Sequence, residues 1–158
     1  MWQRVQTLYH GIAIILLGIV SSGASLFSFV GESNRYTVNA FGVTTSDLKS
    51  GAISDHNMMP IMVGTIALAL LCFICLMSYK NLNRQFKLGR TIFFLYFLGL
   101  VGIIIFSSLG DMVIDEANTK RELGVGFYLF IAGFPFTFLA NVGIKKDKRL
   151  LDSLERLR

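Results

Sequence analysis

Four stretches of this chain, Leu8 to Val30, Met58 to Tyr79, Thr91 to Leu109 and Gly124 to Ile144, each run 19 to 23 residues without one Asp, Glu, Lys or Arg. A bilayer core about 30 Å thick takes roughly 20 helical residues at 1.5 Å each. In hydrocarbon every backbone polar group must be satisfied within the chain, and a continuous apolar segment does this as a helix. The pattern predicts an all-α integral membrane protein, one domain over 1–158 built as a four-transmembrane-helix bundle. Composition agrees, since 53% hydrophobic against 16% charged residues and a mean hydropathy of +0.59 lie far from the make-up of a water-soluble domain.

The remaining charges sort by connection. Arg4, then Lys80, Arg84, Lys87 and Arg90, then Lys145, Lys146, Lys148, Arg149, Arg156 and Arg158 put 11 of the 15 basic residues on one side, against three acids. The other side holds Arg35, Lys49, Lys120 and Arg121 against seven acids, so the faces carry +8 and −3. Cations in short connections stay in the cytoplasm, which predicts both termini there. The basic 80–90 connection serves topology, with contact to anionic head groups and no nucleic acid as partner.

Ser22-Gly-Ala24 offers small residues at a signal-peptide cleavage spacing. The apolar run nevertheless continues through Leu26, Phe27, Phe29 and Val30, longer than a typical signal core, so the first helix is expected to persist. Within it Gly11, Gly18, Ser22 and Ser25 fall near one face, a pattern that lets helices approach closely and is expected to serve contacts inside the bundle. The first outer connection, 31–57, is rich in strand formers between Arg35 and Thr45, which predicts at most a short β-hairpin. Pro135 inside the fourth apolar run predicts a kink there.

Past Ile144 the character changes abruptly. Leu150, Leu154 and Leu157 recur at spacings of 4 and 3 among charges, the stripe of an amphipathic helix. A C-terminal cytoplasmic helix over 145–158 is expected, lying on the inner leaflet or docking on a partner. Lys145, Lys146, Lys148, Arg149, Leu150, Leu154, Leu157 and Arg158 are its candidate contact residues.

Met1-Trp-Gln-Arg-Val-Gln-Thr-Leu-Tyr9, Ala40-Phe-Gly42, and the ending from Phe138-Leu-Ala-Asn-Val-Gly-Ile-Lys-Lys-Asp-Lys148 through Glu155-Arg-Leu-Arg158 resemble a family of small four-helix inner-membrane proteins of Bacteroidota, known only as a domain of unknown function. The resemblance covers the whole chain and implies the bacterial inner membrane as its location. It implies no activity and no catalytic residue.

Several function classes are disfavoured by the residues. Ion and proton pathways place ionisable groups inside the membrane, and these spans have none. Asp55 and His56 are sequence neighbours, which diverge on an extended backbone. Asp111, Asp115 and Glu116 sit beside Lys120 and Arg121 and read as a solvated connection rather than a cation site. Cys72 and Cys75 form C-x-x-C inside the second run, where thiols act as small buried hydrophobes, and the outer loops hold no second cysteine pair for exchange. Neither an enzyme nor a cofactor or metal site is expected. The expectation is a non-enzymatic accessory or structural subunit of a membrane assembly, meeting a membrane-protein partner or its own copy through small-residue faces and the basic tail. The alternative is a small lipid- or quinone-binding protein, with an apolar pocket left between the aromatic third helix and the kinked fourth.

Overall fold

Hydropathy cannot see where the first helix ends. In the computed structural model, which describes residues 3–57, 60–113 and 120–155, α1 covers Gln3–Ser21. Ser21 and Ser22 turn their hydroxyls back to the carbonyls of Gly18 and Ile19, at 2.9 and 2.8 Å, bonds that compete with the helical ladder. Gly23 follows at φ +105°, a conformation costly for any residue with a Cβ. Beyond it Phe27-Ser-Phe-Val30 has the alternation of a strand and forms β1 (Phe27–Val30), almost wholly buried. The first apolar run is therefore a helix and a strand, and does not continue as one helix to Val30.

The all-α expectation is overturned by what β1 belongs to. Strands β2 (Asn34–Val38), β3 (Gly42–Asp47) and β4 (Ile53–Asn57) follow as a meander, and β5 (Lys120–Leu123) pairs with the other side of β1. The result is a five-stranded antiparallel sheet in the order β4-β3-β2-β1-β5, where at most a hairpin was expected. Tyr36, Thr37, Val38, Val43, Thr44 and Thr45 are aromatic or β-branched and suit a pleated, half-buried surface. One cross-strand row runs Phe27, Val38, Val43, His56, and its first three members face the helices.

The other helices are α2 (Pro60–Met77), α3 (Leu82–Val113) and α4 (Val125–Glu155), with a 3-10 turn at Ser78–Lys80 between α2 and α3. Three helices are long and apolar enough to cross a membrane, through Pro60–Met77, Leu82–Leu109 and Val125–Leu150, while the apolar part of α1, Val5–Ser21, is shorter. Most of the basic connection expected at 80–90 is the first turns of α3. The C-terminal helix is not a separate element either, because α4 runs without a break from Val125 to Glu155. Helix α1 packs mainly on α4 and α2, α3 packs on α4, and α2 and α3 share the thinnest interface of these pairs.

The core joins both layers. Leu17, Val20, Leu26, Phe27, Cys72, Cys75, Ile92, Tyr96 and Ile144 are almost fully buried in one cluster. Pro135 lies inside α4 and brings no N–H for the Ile131 carbonyl. Nearby, the Tyr96 hydroxyl donates to the Phe130 carbonyl at 2.9 Å and Thr137 to the Phe134 carbonyl at 2.7 Å, the kind of side-chain support that proline-bearing membrane helices use.

Candidate functional site

The thin α2–α3 interface leaves a groove of about 520 Å³ beneath the sheet. One wall is α2 from Pro60 to Leu71, the other is α3 from Leu95 to Phe106, Phe130 of α4 lies against both, and Phe27, Val38 and Val43 form the roof. Thr65 is the single polar side chain among the described lining residues, and its hydroxyl already donates to the carbonyls of Ile61 and Met62, both at 3.0 Å. Ligand cavities span about 300–1,000 Å³ and are mostly apolar, and this one falls within that range.

Glycine keeps the groove open. Gly42, Gly64, Gly99 and Gly102 line it. A Cβ placed on Gly64 or Gly102 would meet nothing within 4 Å, whereas one on Gly99 would touch Phe130 at 3.5 Å. At Gly64 and Gly102 the missing side chain leaves open volume rather than a close helix contact.

A smaller polar recess of about 190 Å³ adjoins the groove, sharing Gly42 and Val43 and adding Asn39, Phe41, Thr44, Asp55 and His56. Asn39 fixes the β2–β3 turn by accepting from the backbone N–H groups of Phe41 and Gly42, both at 3.0 Å. The Ala40 carbonyl accepts from the Met62 N–H at 3.1 Å, so the same turn holds the start of α2. Asp55 pairs across strands with Thr44 and His56 with Val43; successive residues of a strand point to opposite faces, so these neighbours diverge. At the far end of β3, the Ser50 hydroxyl and then the Lys49 N–H hold the Asp47 carboxyl below its ordinary pKa, which orders the β3–β4 turn.

The residues singled out for the tail lie at the opposite end of the molecule. Lys145, Lys146, Arg149 and Leu150 are exposed and Lys148 half-buried, with the Lys148 ammonium 5.6 Å from the Phe86 ring centre. Beside them Gln6 of α1 donates to the Asp147 carboxylate. This end of α4 is thus docked on α1 and α3 instead of lying apart. The side chain of Leu154, and all of Leu157 and Arg158, fall outside the described residues, as do Asp115 and Glu116 of the acidic run. Cys72 and Cys75 are free thiols, both fully buried. Among the described residues no cluster of His, Cys, Asp or Glu could hold a metal.

At Gly11 and Gly18 a Cβ would meet nothing within 4 Å, so neither glycine is needed for a close helix approach among the described residues. Contacts of that close kind occur elsewhere. A Cβ at Gly124 would fall 2.1 Å from the Ser25 carbonyl oxygen, and one at Gly126 would fall 2.7 Å from that of Ala24.

No curated protein matches the chain. The family described as Domain of unknown function (DUF4293) matches residues 2–157, nearly the full length, and the chain belongs to that family.

Proposed function

We propose that this protein holds the hydrocarbon tail of a membrane lipid in the α2–α3 groove, as a protein of four transmembrane helices in the bacterial inner membrane with both termini cytoplasmic. The observation that carries the reading is a groove of about 520 Å³ whose walls are apolar and whose one polar side chain is already bonded. Apolar walls facing an open groove of that size lack packing partners on one side, and hydrocarbon from the bilayer would supply them. The lipid setting is supported by exposed apolar side chains on the same helices, Val63, Phe94 and Leu98, each 60% exposed or more.

Native mass spectrometry in mild detergent tests the proposal. The wild-type chain is expected to carry one bound lipid, and Gly64→Leu/Gly102→Leu to lose it while melting no lower. If the filled variant keeps its lipid, the groove is not the site. A second reading, an accessory subunit docking through the tail, is favoured by Lys145, Arg149 and Leu150 standing exposed at the end of α4. A protein that co-purifies with the wild type and is lost from Leu150→Ser/Leu154→Ser/Leu157→Ser would support it.

A further inference from the structure

We propose that a phospholipid of net negative charge, from the leaflet opposite the sheet, seats its phosphate between Arg90 of α3 and Lys148 of α4 and lays an acyl chain along the aromatic seam between these helices. The site is separate from the groove, which lies beneath the sheet and so faces the outer leaflet in the proposed topology. It does not depend on what fills the groove.

Two cations from remote parts of the chain meet on one ring. The Arg90 guanidinium carbon lies 5.9 Å from the centre of the Phe86 ring and the Lys148 ammonium 5.6 Å from it, both within the range of cation–π attraction. Arg90 follows Phe86 by one helical turn, and long helical side chains lean back towards the N-terminus, so its place is set within α3. Lys148 is brought there by the close approach of α4 at Gly89, where a Cβ would fall 3.2 Å from Asn141 Oδ1 and 3.4 Å from Ile144 Cδ1. Topology asks only for positive charge somewhere in these connections. It does not ask for two cations on one ring.

Like charges so placed repel, and among the described residues neither cation has a carboxylate partner. The ion pair described in this chain, Arg35 with Glu122, is in the sheet. Asp147 precedes Lys148 in sequence, but its carboxylate accepts from Gln6 of α1. Lys87 and Lys145 stand three residues before Arg90 and Lys148, on the same helix faces, and both are exposed. A lipid phosphate between Arg90 and Lys148 accepts charge-assisted hydrogen bonds from both. An ethanolamine lipid offers the same phosphate, yet its ammonium would then stand among four cations. Such like-charge juxtaposition disfavours a partner, which selects a head of net negative charge.

The residues beyond the cations favour a lipid over a soluble anion. Phe86, Arg90, Phe93 and Phe97 form one stripe of α3 at spacings of 4 and 3, and Phe134, Phe138, Lys145 and Lys148 fall on one stripe of α4. The stripes face each other, since the Phe93 ring lies 5.0 Å from that of Phe134 and 5.8 Å from that of Phe138, and Phe97 lies 6.1 Å from Phe134. Phe97 and Phe138 are half-exposed along this seam. Arg90 is the last residue before the apolar run that opens at Thr91, so the cations stand at the membrane surface and the aromatic rings continue into the hydrocarbon. That is the layout of an amphiphile, and a free phosphate would use only its polar end.

The test uses the full chain, stripped of lipid in detergent and titrated with dioleoyl phosphatidylglycerol, dioleoyl phosphatidylethanolamine and inorganic phosphate, bound species being counted by native mass spectrometry. It is run on the wild type and on Gly64→Leu/Gly102→Leu, in which the groove is filled. In both, the glycerol lipid is expected to bind more tightly than the ethanolamine lipid by on the order of tenfold, the scale of two cations near an anionic head group. Arg90→Gln/Lys148→Gln should bring that ratio towards one. Arg84→Gln/Arg149→Gln, which removes two other exposed cations of the same end, should leave it unchanged. Equal binding of the two lipids by the wild type, or an equal loss of preference in the two paired variants, overturns the site and leaves diffuse surface charge. Displacement of the glycerol lipid by equimolar inorganic phosphate overturns the lipid assignment in favour of a soluble anion. A preference that vanishes in the filled variant moves the anionic lipid to the groove and overturns the α3–α4 site, whereas a preference that survives there supports it whatever the groove holds.

Discussion

At the scale of single residues, Tyr96 packs closely against α4. Tyr96 is fully buried, its hydroxyl bonds the Phe130 carbonyl at 2.9 Å, and its ring lies 4.7 Å from that of Phe130. A Cβ on Gly133 would fall 2.2 Å from the Tyr96 hydroxyl oxygen, so glycine is required there for close approach. Gly133→Ala is expected to cost about 1–3 kcal/mol through overpacking, and Tyr96→Phe about 1 kcal/mol through one lost hydrogen bond. The double variant removes the oxygen that the new methyl would strike, so its loss should be smaller than the sum of the two single losses. Thermal unfolding in detergent measures all three, and strict additivity would mean that Gly133 does not approach Tyr96 in this way. Little of this was legible in the sequence. Tyr96 is one of several aromatics in the third apolar run and Gly133 one of several glycines in the fourth, and pairing between positions 37 residues apart leaves no local periodicity.

At the scale of elements, apolar runs identified helices well and their ends poorly. α2 lies within the run that predicted it, since Pro60 opens it and the polar residues after Met77 close it. α3 and α4 run on into charged sequence, because a helix continues past the hydrocarbon wherever its polar residues are good helix formers. β1 was absorbed into a helix because Phe27, Phe29 and Val30 are as apolar as a span, and only the alternation with Ser28 marks a strand. β5, Lys-Arg-Glu-Leu, has one apolar residue in four, and its partner β1 is remote in sequence. The junction of the two layers can be tested at Gly124, whose N–H donates to the Leu26 carbonyl at 2.8 Å and whose added Cβ would strike the Ser25 backbone. Backbone has no alternative rotamer to move into. Gly124→Ala is expected to cost about 3 kcal/mol or more, seen as a large drop in melting temperature or in folded yield. Gly18→Ala, where the new methyl meets nothing, should be neutral or stabilising by about 0.5–1 kcal/mol. Similar losses at the two sites would contradict this account of where α4 meets the sheet.

At the scale of the whole molecule, the contacts alone distinguish two ends. β1 follows α1 and β5 precedes α4, yet they pair in one sheet, so the chain segments before α2 and after α3 lie at the same end. The start of α1 meets the late turns of α4 through Gln6 and Asp147, and Phe86 near the start of α3 lies under Lys148, which gathers the remaining ends opposite the sheet. Every helix therefore runs from one end to the other. Charge counting from the sequence expects the same two ends on opposite sides of a membrane, and it does so without any knowledge of the sheet. The proposed four-span topology needs α1 to cross although its apolar part spans only 17 residues, about 26 Å at 1.5 Å per residue, a mismatch that slight bilayer thinning would absorb. Thiol labelling tests the whole arrangement on a quiet background, since Cys72 and Cys75 are fully buried. In intact spheroplasts a membrane-impermeant maleimide should label Lys49→Cys, in the β3–β4 turn, and leave Ser153→Cys, near the end of α4, unlabelled until the membrane is permeabilised. An antibody epitope added at the N-terminus should likewise be reached only after permeabilisation. Access to that epitope in intact spheroplasts would mean that α1 does not cross, and labelling of both cysteine variants from outside would remove the two-ended membrane topology on which the groove's outer-leaflet position depends.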